Sequence, residues 1–279
     1  MRIFDAHNDF LTTEKNPQKR EKIVEDFLNC KAKLISCAIF TTEIKPTIKQ
    51  IFDYSKQIKK YNEKYNGNFL LSFEDLGFLK NELSELINLR PISATLGWNW
   101  NNQFIGGALD NGGLTKLGKQ TIVLLEKNNI FVDCAHMNRK SFYQFIKISK
   151  KPIYCSHSNV NALHRHKRNL TNNQIKKIVE TNGYLGITIY QDFISNKKIS
   201  SKDIAKQFHY LIQHFGYNNF GFGTDFYGID RDKLPTDISN YKDLNNIKIW
   251  LKRFGYKDSD IQKLFYKNYQ NFLTRNGLL

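Results

Sequence analysis

The chain has 279 residues, 41% of them hydrophobic and 24% charged, which is ordinary for a soluble globular protein and long enough for one large α/β barrel. No apolar run approaches the ~20 residues that span a bilayer, and Cys30, Cys37, Cys134 and Cys155 lack the paired spacing of a zinc ribbon or redox motif. The formal charge of +16 invites a nucleic-acid reading, but the lysines are spread along the whole chain, and the one dense run, Lys56 to Lys64, reads as the solvated face of a helix.

Short apolar runs alternate with amphipathic stretches from end to end. The first run, Arg2–Ala6, is followed by a helical pattern over Pro17–Cys30 with Ile23, Val24, Phe27 and Leu28 on one stripe. Leu34–Thr41 is the second strand candidate, and Thr47–Tyr65 the helix after it. Phe69–Phe73 and Ile92–Gly97 follow as strands three and four, then a turn-rich loop over Asn99–Gly113. Thr115–Asn128 begins with a Thr cap and carries Leu117, Ile122, Val123 and Leu125. The remaining strands are Ile130–Ala135, Ile153–Ser156, Tyr184–Tyr190 and Phe220–Asp225, separated by helices over Asn138–Ser149, Thr171–Thr181 and Ser201–Phe215. A second turn-rich loop, Tyr227–Asn240, precedes a helical tail in which Ser259 and Asp260 start the last helix. Each strand candidate is rich in Ile, Val, Phe or small residues, as strands covered on both faces require. Alternation of this kind predicts a single (β/α)8 TIM barrel over residues 1–279, with no composition break to mark a second domain.

The candidate metal ligands fall at the carboxyl ends of these strands, the rim where a barrel gathers its catalytic groups. His7 and Asp9 follow strand one, and their spacing puts both side chains on one face of an extended segment. Glu74 ends strand three, His136 strand five and His157 strand six. Taken singly, Asp9 reads equally as a cap and each His as a hydrogen-bonded rim residue; five together point to metal. Three imidazoles and two carboxylates suit zinc or a similar divalent ion. Five ligands exceed the usual three of a mononuclear catalytic site, so the expectation is a pair of metals that share Glu74 and activate a water between them. Asp225, at the end of strand eight, is placed to take a proton from that water, and Arg168 to clamp a substrate carboxylate. His164, His166, His209 and His214 read as surface or helix residues. By strand parity Cys134 and Cys155 should face inward with His136 and His157, as small fillers of the barrel.

These motifs resemble the membrane dipeptidase (renal dipeptidase) family of metallopeptidases, among the amidohydrolase-like metal barrels. Phe4-Asp5-Ala6-His7-Asn8-Asp9 is similar to the family's opening D-x-H-N-D, and Ser72-Phe73-Glu74 to its bridging-glutamate segment. Gly113-Leu114-Thr115-Lys116-Leu117-Gly118 resembles the G-L-T-x-x-G stretch that leads to Val132-Asp133-Cys134-Ala135-His136. Pro152 to Ser158 and Arg168-Asn169 then match the second histidine strand and the R-N pair. The resemblance implies two zinc ions, one on His7 and Asp9, the other on His136 and His157, with Glu74 on both. It implies a dipeptidase, often tolerant of a D-residue at the carboxyl end, acting through a metal-bridging hydroxide, with Arg168 on the substrate carboxylate and Asp225 handling protons. Two departures stand out. Trp98, in Leu96-Gly97-Trp98-Asn99, occupies the place of a substrate-contacting histidine in L-T-H-N. Asp225-Phe226-Tyr227-Gly228 replaces D-F-D-G, so a second acidic residue is missing.

The alternatives are a related binuclear hydrolase acting on another amide, lactam or ester, a nucleic-acid-binding protein or nuclease, and a barrel that has lost activity. The opening Met-Arg-Ile-Phe-Asp-Ala-His has no leader-like apolar core, so a cytoplasmic protein with reduced cysteines is expected, without a membrane anchor. The expected partner is a small dipeptide or related amide substrate, and a homodimer is the candidate assembly.

Overall fold

Eight short strands pair in sequence order, all parallel, and the eighth returns to the first to close a barrel. The computed structural model describes residues 1–41, 45–79 and 82–279. The strands are β1 (Ile3–Asn8), β2 (Ala32–Phe40), β3 (Asn68–Glu74), β4 (Ser93–Thr95), β5 (Phe131–Asp133), β6 (Tyr154–Ser158), β7 (Tyr184–Ile187) and β8 (Phe220–Phe222). Every residue of β1 and of β4 to β8 is buried, because the bore covers one face and the helices cover the other. That double burial is why the strands read as continuous apolar runs rather than as alternation.

Around the barrel lie α1 (Phe10–Thr13), α2 (Pro17–Asn29), α3 (Ile48–Tyr65), α4 (Leu83–Asn88), α5 (Lys116–Lys127), α6 (Arg139–Phe145), α7 (Asn172–Glu180), α8 (Ser201–Phe215), α9 (Asn245–Arg253), α10 (Asp258–Gln262) and α11 (Asn268–Arg275). The predicted Thr115 cap is in place, two further threonine caps were not foreseen, and the helix expected to start at Ser259 and Asp260 begins at Asp258. Thr47 and Thr171 form capping boxes with Gln50 and Gln174, and Thr115 accepts from the Gly118 N–H at 3.0 Å. In α3 the buried stripe is Ile51, Ile58 and Tyr61, and Lys56, Lys59, Lys60 and Lys64 all point to solvent. The dense basic run is therefore one face of an amphipathic helix. Neither α1 nor α4 was predicted, since each is too short to show a helical period. Among the described residues, no helix is long and apolar enough to cross a membrane.

Two layers of core result. Phe4, Ala6, Leu34, Ile92, Phe131, Tyr154 and Tyr184 fill the bore, and the closing helix α11 inserts Tyr269, Phe272 and Leu273 among them. The Tyr269 hydroxyl meets Ser36 Oγ at 2.5 Å and the Tyr154 hydroxyl at 3.2 Å, which satisfies all three polar groups inside an apolar plug. The larger layer packs the outward strand faces against the helices, and Cys134 and Cys155 belong to it. Inward placement of these thiols is thus corrected: Phe131 and Tyr154 take the bore, so the parity that follows sends Cys134 and Cys155 to the helix side. His157 nevertheless faces the site, because a register shift between Cys155 and Ser158 breaks the alternation.

Candidate active site

Three kinds of break in regular backbone re-aim the functional side chains. A register shift in β1 between Asp5 and Asn8 turns His7 toward the bore. Asp9 leaves the strand, contrary to the extended geometry expected of it, and stands at the N-cap of α1. It caps with its carbonyl, which accepts from the N–H groups of Thr12 and Thr13, while its carboxylate makes no cap bond. His136 lies beyond the end of β5, at φ +64°, and Asp225 beyond the end of β8, at φ +65°. A non-glycine residue in this region costs on the order of 1–3 kcal/mol and persists where the surroundings impose it. Glu74 alone behaves as predicted, as the last residue of its strand.

The result is one tight cluster. Glu74 Oε2 lies 3.4 Å from His7 Nε2, while Oε1 lies 2.8 Å from His136 Nε2 and 3.7 Å from His157 Nε2. Asp9 Oδ2 and Asp225 Oδ1 approach His7 Nε2 at 3.3 and 3.7 Å. Ligand atoms of His7, Asp9 and Glu74 form one compact group, those of Glu74, His136 and His157 a second, and those of His7, His157 and Asp225 a third. Gly228 leaves room for both carboxylates: a Cβ at this position would come 2.4 Å from Asp9 Oδ2 and 2.7 Å from Asp225 Oδ1, so the carboxylates would have to move.

The donor set fits divalent metal. Asn99 Oδ1 is 3.1 Å from His136 Nδ1, and an amide oxygen only accepts, so Nδ1 carries the proton and Nε2 is bare. Burial, reinforced by the Arg168 charge, holds the His136 pKa down to about 3, and burial with the charges of His7 and Arg168 keeps His157 neutral as well. Two bare nitrogens 3.0 Å apart, each facing Glu74 Oε1, repel one another unless a cation lies among them. At the other group, His7 Nε2 and both Asp9 oxygens are buried without a hydrogen-bond partner. Burial opposes the charged form of His7, but Asp9 and Glu74 outweigh it and raise its pKa well above the usual value. The imidazolium thus supplies the positive charge that a metal would bring.

A cavity of about 700 Å³ opens over this cluster, walled by Phe40, Trp98, Leu109, Tyr190, Phe193 and Tyr227. Trp98 stands between Phe40 and the His136 ring, at centroid distances of 5.3 and 5.9 Å. Arg168 is buried, with its guanidinium 5.3 Å from the Phe193 ring centroid, one long contact of 3.5 Å to the His157 carbonyl, and no partner for Nε. Burial raises the Asp225 pKa well above the carboxylate range, and the nearby Asp9 charge adds to this. A larger cavity of about 1040 Å³ lies behind the loop after β8 and contains none of the clustered imidazoles.

All seven predicted positions, and Trp98 with them, therefore meet at one rim. The reading of His166 as a surface residue is corrected: it lines the cavity, 4.7 Å from the Phe193 ring, and its Nδ1 accepts from the Arg168 N–H. His209 and His214 do sit on α8, bonded to Tyr256 and to the Tyr210 carbonyl. Tyr190 and Asp192, joined at 3.0 Å, also line the cavity and were missed, as was Asn99. Their place after β7 and β4 was the available signal.

A family model described as membrane dipeptidase (peptidase family M19) matches residues 2–275. An uncharacterized dipeptidase of Schizosaccharomyces pombe is 26% identical over 234 residues, which is 73% of this chain and 56% of that protein. An uncharacterized protein from the pqqA 5′ region of Klebsiella pneumoniae is 29% identical over 189 residues, 63% of this chain and 69% of the other. The match thus spans little more than half the length of the yeast relative. Among solved structures, a metallo peptidase from Rhodobacter sphaeroides, liganded with a phosphinate mimic of L-Ala-D-Ala, superposes with a TM-score of 0.87 at 19% identity, covering 99% of each chain. A dipeptidase of family M19 gives 0.86 at 19% identity, covering 100% of this chain and 99% of its own. At such identities these structures establish the shared fold.

Proposed function

The chain belongs to the membrane dipeptidase family, peptidase family M19, and from that premise we propose that it is a binuclear, zinc-dependent dipeptidase. The observation that carries this reading is the split of Glu74, whose Oε2 faces His7 and whose Oε1 faces His136 and His157. His7 and Asp9 would hold one ion, His136 and His157 the other, and Glu74 both. The nitrogen and oxygen donors favour zinc. When bound, such a pair supplies a nucleophilic water at neutral pH and a Lewis acid for the scissile carbonyl.

The chain's own residues do the rest. Arg168, buried and short of acceptors, receives the substrate carboxylate and fixes the carboxyl-terminal residue. Asp225, whose Oδ1 lies 3.7 Å from His7 Nε2 at the edge of the cluster, takes the proton of the attacking water and passes it to the leaving amine. Trp98 and Phe40 form an aromatic wall that packs against the substrate and excludes water. The Rhodobacter sphaeroides protein binds a mimic of a dipeptide with a D-residue at the carboxyl end, and we extend that preference to this chain. Residues 1–279 act as one barrel domain, and free Cys30, Cys37, Cys134 and Cys155 suit the reducing cytoplasm.

Turnover of L,D- and L,L-dipeptides, assayed beside lactam and ester substrates, tests the assignment. Hydrolysis of dipeptides above all others supports it. Zinc-loaded protein that leaves every dipeptide intact refutes it.

A further inference from the structure

One buried hydroxyl lies between the two groups of ligands. Ser156 Oγ is 2.8 Å from His157 Nδ1 and 3.4 Å from His7 Nδ1, and the two rings are 4.0 Å apart between centroids. Both imidazoles turn Nε2 toward the centre, so each has only Nδ1–H to offer Ser156. A hydroxyl oxygen accepts two hydrogen bonds and donates one. Here the two N–H groups fill the acceptor positions, and the neighbouring Asp133 carboxyl is held by the amides of Ser156 (2.9 Å) and Ala135 (3.0 Å). Ala135 immediately precedes His136, so the same carboxylate anchors the turn that presents the third imidazole.

The position is locked by its neighbours. Ser156 is 1% exposed and sits inside the register shift of β6. Its carbonyl presses on Gly223, where a Cβ would come within 1.7 Å. Backbone and side chain are thus both fixed, which an orienting group needs.

We propose that Ser156 is a positioning residue for both metal sub-sites, holding His7 of one and His157 of the other on a single oxygen, so that the two ions are bound and lost together. This rests on the binuclear reading above. Partners of metal-bound histidines typically change affinity by roughly 10- to 100-fold when removed. A partner shared by both sub-sites makes the two affinities interdependent.

The test strips full-length wild type, Ser156→Ala and Ser156→Cys with chelator, then titrates each with cobalt(II) against a competing chelator. Bound metal and the cobalt d–d absorption are followed together. Wild type is expected to take up two equivalents. Ser156→Ala should bind both of them roughly 10- to 100-fold more weakly, with an altered d–d spectrum and unchanged circular dichroism of the metal-free protein. Ser156→Cys keeps the side chain's length with a poorer acceptor, should shift both affinities in the same direction, and decides the matter if the Ala variant does not fold. Unchanged affinity, or weakening of one ion alone, overturns the inference while leaving the binuclear reading intact. Wild type that binds fewer than two ions overturns that reading and the inference with it.

Discussion

Replacing Arg168 with Met separates recognition from folding. The guanidinium is buried over the Phe193 ring, has one contact of 3.5 Å and leaves Nε unpaired, so the folded protein gains little from its charge. Methionine keeps an unbranched stem on the ring and removes a desolvated cation, so the unfolding midpoint should stay level or rise. Substrate binding loses two charge-assisted hydrogen bonds, worth about 1.5–3 kcal/mol each. At 1.36 kcal/mol per tenfold, that is a fall in kcat/KM of roughly 10²- to 10⁴-fold, most of it in KM if the bonds are equally strong in ground and transition states. The assay compares an L,D-dipeptide with its carboxyl-terminal amide in wild type and variant. Wild type should prefer the free carboxylate strongly and Arg168→Met should not. A variant that retains the preference would refute the assignment of Arg168.

Other perturbations follow from the same geometry. Tyr269→Phe leaves the Ser36 hydroxyl without its partner in the bore, while Tyr154 keeps its bond to the Ala6 carbonyl, so denaturant unfolding should show a loss of about 1–3 kcal/mol while kcat is unchanged. Gly228→Ala pushes a methyl into Asp9 and Asp225; bound metal should fall while the thermal midpoint barely moves, and full metal content would contradict the close approach. Cys134→Ser places a hydroxyl in the apolar layer between barrel and helices, costing about 1–3 kcal/mol of stability, but metal analysis should find the site intact. Loss of an ion there would show that the thiol takes part after all.

The barrel was legible because each strand is an apolar run covered on both faces and each long helix carries a stripe and a cap. Glu74 was legible for the same reason, since it ends a regular strand. His7, Asp9, His136, His157 and Asp225 were placed on the rim by type and position, yet the backbone geometry that brings them together was not foreseen. Parity carried Cys155 inward along with His157, and Asp9 was expected in extended backbone, whereas two register shifts, a helix N-cap and two left-handed residues actually aim these side chains. Such breaks are set by the closure of the barrel, so no local pattern announces them. His166, Tyr190 and Asn99 were missed because their roles depend on which loops converge over the rim. The same ignorance of parity breaks put Cys134 and Cys155 on the wrong face.

Metal content measured on the purified chain, together with hydrolysis of an L,D-dipeptide before and after chelation, tests the central claim most directly. The account predicts two divalent ions per chain, activity that disappears with their removal, and activity that returns when zinc is restored. A single ion per chain, or hydrolysis that survives complete removal of metal, would contradict it.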